Sequence, residues 1–237
     1  MGSVNSIDPL LYQELQFNPD TKLVLPEGFE LDNETTQRFS TFLMAISNIS
    51  QSYYKYDDIV DGLKKEHLER VFAYELYHQW SLLIDKDYII NGEIGKRLMY
   101  FDSQSGKLKD KNDKYPDLVL HRGQSYHDGN MIVCEIKRKE NNSEKEYISD
   151  LFKLAIFTNN KTNHNNNNYQ CGIFVYVRGL QEDFMSLIDK NETDLQTLCN
   201  EYNTKKIICV FCDENCIKYN SFYNILEILK SDQKIKL

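Results

Sequence analysis

No run of this chain approaches the roughly 20 consecutive apolar residues that a membrane helix needs, so no membrane partner is expected. Proline and glycine are scarce, at four and ten residues of 237, which excludes collagen-like and linker-rich architectures. The first ten residues carry Asp8 and no basic stretch, unlike a secretory signal, and the expectation is a soluble, cytoplasmic protein. Six cysteines outside a secretory context are expected to stay reduced, with Cys134 and Cys171 acting as small hydrophobes inside apolar runs. Cys209, Cys212 and Cys216 have a C-x2-C-x3-C spacing, but no fourth ligand lies nearby and 207–211 reads as a buried strand, which disfavours zinc. Glycine-rich phosphate-binding loops are missing, which disfavours an NTPase or dinucleotide enzyme. Neither G-x-S-x-G nor H-E-x-x-H occurs, and the five histidines are scattered.

Positive charge is also in deficit. The net charge of −8 argues against a protein that coats nucleic acid by bulk electrostatics. Its distribution is uneven: residues 96–153 hold twelve Lys and Arg against ten Asp and Glu, so the remainder carries −10. Lys107, Lys109, Lys111 and Lys114 crowd one segment that reads as a solvated polar loop.

What is present is a length that allows one large domain with a modest appendage, and a pattern that alternates. Residues 1–31 show no periodicity and read as an irregular arm. Phe39, Phe42, Leu43 and Ile46 recur at helical spacing after Asp32 or Asn33 as N-cap. A second helix is expected over 64–84. Strands are expected at 97–101, 117–122 and 131–138, with 102–115 as a long loop and His127-Asp128-Gly129-Asn130 as a turn. Ser143 opens a capping box for a helix to about 158, and the Asn-rich stretch 159–168 reads as a loop. A wholly apolar run at 170–178 reads as a central strand. A helix broken near Asn191, a strand at 206–211 and a helix at 222–230 complete the order. The expected fold is α/β, a mixed central sheet flanked by helices on both faces, with a parallel βαβ unit at 131–178. We divide it into an arm and helix (1–62) and an α/β domain (63–237). The last part, 180–237, is expected to complete the fold or to form the surface of a homodimer.

Chemistry concentrates in Pro116-Asp117-Leu118-Val119-Leu120 and Ile132-Val133-Cys134-Glu135-Ile136-Lys137. Side chains alternate across a strand, so Glu135 and Lys137 share one face, where burial is unfavourable unless they are paired or bind something. On the upstream helix, Glu75 lies within about 60° of Leu68, Phe72 and Gln79 at 100° per residue, and would interrupt the face toward the sheet. Asp117, Glu135, Glu75 and the Ile136 carbonyl offer the oxygen ligands that Mg2+ or Mn2+ prefers. Lys137 is suited to serve an attacking water or a developing phosphorane. Gln79, His121 (at i+4 from Asp117) and Lys153 are candidates for contacting substrate or supporting the ligands.

Together the Pro116-Asp117 pair, the Glu135-Ile136-Lys137 triplet and the acid at Glu75 resemble the PD-(D/E)XK nuclease superfamily, over about 66–178. The wording around Glu75-Leu76-Tyr77-His78-Gln79 is similar to an uncharacterised bacterial group within it. The resemblance implies a restriction-endonuclease-like core and metal-dependent hydrolysis of nucleic acid, DNA before RNA. It also admits a catalytically silent scaffold, since the superfamily includes members that bind without cutting.

Overall fold

The computed structural model describes residues 13–14, 23–26, 29, 31–55, 65–92, 96–102, 107–114, 116–122, 129–139, 144–159 and 168–231. The expected turn at 127–128, the capping serine at 143 and most of the Asn-rich loop lie outside these residues.

Helix α1 (Asn33–Ser47) starts where Asp32 Oδ1 accepts from the Thr35 amide at 2.6 Å, an N-cap that satisfies one of the helix's free donors. Its Phe39, Phe42, Leu43 and Ile46 are fully enclosed. After a short helix α2 (Gln51–Tyr54) comes α3 (Lys65–Leu83), whose buried row is Leu68, Phe72, Leu76 and Trp80, one residue per turn. Phe42 meets Trp80 edge to face at 4.9 Å between ring centroids, locking the two helices together.

Strands β1 (Gln13–Glu14), β2 (Tyr88–Gly92), β5 (Leu118–Arg122), β6 (Asn130–Arg138), β7 (Cys171–Val177), β8 (Ile207–Cys212) and β9 (Ile217–Ser221) form one sheet in the order β1-β9-β8-β7-β6-β5-β2. The β6, β7 and β8 strands run parallel and the outer pairs are antiparallel. Helix α4 (Glu144–Thr158) joins β6 to β7, completing the βαβ unit. Gly172 lets that helix come close, because a Cβ there would stand 3.2 Å from Thr158 Cγ2 and 3.3 Å from Leu154 Cβ. Helices α5 (Gln181–Asp189), α6 (Glu192–Glu201) and α7 (Phe222–Ser231) follow.

Strand alternation sorts the core into two layers. Leu118, Leu120, Ile132, Cys134, Ile136, Ile173 and Val175 meet α1 and α3 on one face. Val119, Val133, Phe174, Tyr176, Cys209 and Phe211 meet α4 to α7 on the other. The fold is α/β with helices on both faces of a mixed sheet, and among the described residues no helix is long and apolar enough to cross a membrane.

Three sequence expectations need correction, and the reading of the cysteines against zinc is supported. The strand near 97–101 exists as β3 (Lys96–Asp102), but it pairs with β4 (Lys107–Lys114) in a separate two-stranded ribbon and not with the main sheet. The segment read as a polar loop is therefore largely strand, since a backbone ladder needs a partner more than it needs apolar composition. Edge strand β2 and the return strand β9 were not anticipated, and the N-terminal arm contributes β1 beside β9. Cys209 and Cys212 fall on opposite faces of β8, one in each layer, because three residues is an odd step along a strand. That geometry rules out the cysteine cluster as a shared zinc site, and all six thiols are free.

Candidate functional site

The β5–β6 register pairs Leu118 with Cys134 and Val119 with Val133, so Asp117 falls opposite Glu135, one step beyond the last paired residues. Val119 and Val133 belong to the α4 side of the sheet, and alternation puts Asp117, Glu135 and Lys137 on that side too. Asp117 is anchored: its Oδ2 accepts from the Ile136 amide at 2.6 Å. Residues at such a position direct N–H and C=O to the same neighbour, so the Ile136 carbonyl also leaves β6 toward Asp117.

Helix α4 covers this face, and the first turns of α3, whose buried row packs on the opposite face, reach Lys137. From α4, Lys153 Nζ donates to Glu135 Oε2 at 2.6 Å and lies 2.5 Å from Asp150 Oδ1. The other oxygen of Asp150 is 3.1 Å from Lys137 Nζ, so one carboxylate bridges both ammonium groups. From α3, Glu69 Oε1 accepts from Lys137 Nζ at 2.9 Å. Glu135 is 1% exposed, and its Oε1 is buried with no hydrogen-bond partner.

The electrostatics follow from four carboxylates gathered around two ammoniums. Burial raises the Asp117 carboxyl, the Ile136 amide and Lys137 pull it back, and it settles at about 6. Burial also drives Glu135 well above the carboxylate range; Asp150 and Asp117 add to this and Lys153 opposes it. For both lysines burial favours the neutral amine, but the carboxylates more than reverse that: Asp150, Glu69 and Asp117 hold Lys137 charged, and Glu135 and Asp150 hold Lys153 charged. The site is short of positive charge.

Of the residues singled out from sequence, Asp117, Glu135, Lys137 and Lys153 come together, with the Ile136 backbone between them. Glu75, Gln79 and His121 engage other partners. Glu75 accepts from Gln79 Nε2 at 2.7 Å and faces His78 Nδ1 at 3.5 Å, within its own helix. The buried row of α3 explains the substitution of one acid for another. Measured from the centre of the 68-72-76-80 arc, Glu69 is inside it, whereas Glu75 lies about 80° away. His121 is turned to the sheet edge, with Nε2 2.7 Å from Asn91 Oδ1 and Nδ1 2.7 Å from the Arg122 carbonyl oxygen. A register shift between Leu120 and His121 breaks the simple i+4 relation to Asp117.

Glu69 and Asp150 were not anticipated. Each is an acid inside or beside a buried helical row, and that was the available signal. Asp150 stands between Tyr147 and Leu154 of α4, all three buried.

The donors present are oxygen ligands of the kind a hard divalent cation takes, and the unpartnered Glu135 Oε1 is a place for one. Among the described residues, no three His, Cys, Asp or Glu side chains already converge as a ready ligand set, since lysines hold the carboxylates. Comparison with protein-family models, with curated proteins and with solved structures found no match for this chain.

Proposed function

We propose that this protein is a Mg2+- or Mn2+-dependent nuclease of PD-(D/E)XK type that hydrolyses phosphodiester bonds of DNA. The observation that carries this reading is the buried, unpartnered oxygen of Glu135 directly across from Asp117, with Lys137 two residues along the same strand face. A buried carboxylate oxygen left without a partner is unfavourable by about 1–3 kcal/mol or more, and a function that fills it gives a reason for its retention. Asp117 and Glu135, with the Ile136 carbonyl, would hold the cation. The cation supplies counter-charge for the phosphate and lowers the pKa of water.

The chain's own residues have distinct tasks in this reading. The Ile136 amide fixes one Asp117 oxygen and so orients the other. Lys137, held charged by Glu69 and Asp150, donates hydrogen bonds to the attacking water or to a phosphate oxygen as charge develops there. Set between Glu69 and Asp150, Lys137 is placed to act as a donor and electrostatic stabiliser. Packing of α4 over this face excludes bulk water and strengthens each of these interactions.

A second reading is a catalytically silent nucleic-acid-binding or assembly scaffold. It is favoured by the lysine pairing of Glu135 and Asp150, which leaves a folded cluster without any cation. Cleavage of single- and double-stranded DNA and RNA with Mg2+ or Mn2+ separates the two. Metal-dependent products from the wild type that vanish in Glu135→Ala and Lys137→Ala support the nuclease. Equal products from all three proteins indicate a contaminant, and no product from any substrate favours the scaffold.

A further inference from the structure

Two lysines stand in a site for which the nuclease reading assigns a task to only one. Lys153 comes from α4, its side chain 15% exposed, so its ammonium sits at the rim of the buried cluster. It takes the one oxygen of Glu135 that has a partner and leaves the other empty. It is simultaneously 2.5 Å from Asp150 Oδ1, three residues earlier on its own helix. Asp150 is itself buried, and its second oxygen faces Lys137.

We propose, resting on the nuclease reading, that Lys153 is a built-in counter-cation at Glu135, displaced when a divalent ion binds and kept in the site by Asp150 to receive the substrate phosphate. A divalent ion at Glu135 and an ammonium at 2.6 Å from the same carboxylate repel each other strongly in a dry site, so the two occupancies oppose one another. Lys153 thus leaves Glu135 without leaving the cluster: its bond to Asp150 spans less than one helical turn and survives a swing of the side chain. The ammonium then stands beside the cation as a second positive group, suited to a non-bridging phosphate oxygen.

Mn2+ affinity of the full chain, measured calorimetrically for wild type and Lys153→Met, tests this. Removing the internal competitor is expected to tighten Mn2+ binding by about tenfold, while cleavage falls through kcat. Equal or weaker Mn2+ binding by Lys153→Met overturns the proposal alone. No Mn2+ uptake by either protein removes the cation site itself, and the proposal with it. Should Lys153→Met fail to fold, lysine accessibility in the wild type decides. Reductive dimethylation followed by mass spectrometry, with and without Ca2+, is expected to show Lys153 modified several-fold faster with the ion and the exposed Lys139 unchanged. Unaltered Lys153 labelling under saturating Ca2+ overturns the proposal.

Discussion

The two faces of β6 are closed to solvent almost equally and are chemically opposite. Ile132, Cys134 and Ile136 are fully buried against the α1 and α3 layer. On the reverse, Val133 and Glu135 are as deeply enclosed, and Lys137 is 14% exposed. The first face shows the ordinary outcome of alternation, apolar groups removed from water at roughly 25 cal/mol per Å2 gained. The second face holds a carboxylate that burial pushes far above its ordinary range and an ammonium that burial would neutralise. Equal burial with opposite chemistry separates what folds this strand from what it is for. One face should respond to substitution in stability, the other in activity.

Breaking the charged face should give the largest effect. Under the nuclease reading, Lys137→Ala and Glu135→Ala each lower metal-dependent cleavage by about 10^3-fold, read as initial rates on whichever nucleic acid the wild type cuts. Loss below tenfold in either would detach these residues from the chemistry. Substitution on the apolar face should invert the pattern. Ile136→Ala empties a fully enclosed site and is expected to lower stability by about 2–4 kcal/mol in urea unfolding. Its backbone amide still reaches Asp117, so the cleavage rate per folded molecule should stay within a few-fold of wild type.

A sharper form of the comparison uses pH. Asp117 has its carboxyl raised to about 6 in the fold, above the ordinary value near 3.9. Between those values the folded state binds more protons than the unfolded chain, so stability falls as pH rises through the interval. The contribution is full below about pH 4 and lost above about pH 6. Asp117→Asn keeps an oxygen for the Ile136 amide and removes the charge. Without divalent ions it should therefore be more stable than wild type at pH 7, by about 3 kcal/mol, with the difference closing toward pH 4. Urea unfolding at both pH values measures this, and a variant that is less stable at pH 7 would show that the carboxylate is already well compensated.

The same comparison marks what was legible from residue order. The apolar runs of β6 and β7, buried on both faces, and the capped, periodic α1 all announce themselves. Asp117, Glu135 and Lys137 were legible for the opposite reason, as charges placed where alternation demands apolar groups. The short strands were hidden: β2 and β9 are five residues each, too short for a period to emerge, and β4 has the composition of a loop. Glu69 and Asp150 were hidden because helix faces are broad. An acid one position from the row's centre reads the same as one on the solvent side until packing fixes the rotation.

That ambiguity sets the smallest expected effect, on the two acids of α3. Both are partly buried glutamates six residues apart, about 9 Å along the helix. Glu69 bonds Lys137, whereas Glu75 bonds Gln79 and His78. Burial would raise Glu75, but hydrogen bonds from Gln79, His78 and Tyr53 outweigh it and keep its carboxyl below the usual value. Its stabilising contribution is present at neutral pH and is lost as pH falls through that lowered value. Glu75→Gln should leave cleavage and Mn2+ affinity within about twofold of wild type, since its partners Gln79, His78 and Tyr53 are not members of the Glu135 cluster. Glu69→Gln loosens Lys137 and should lower kcat by about tenfold with little change in KM. The reverse ranking, a damaging Glu75→Gln beside a silent Glu69→Gln, would mean that α3 presents its other acid when substrate is bound.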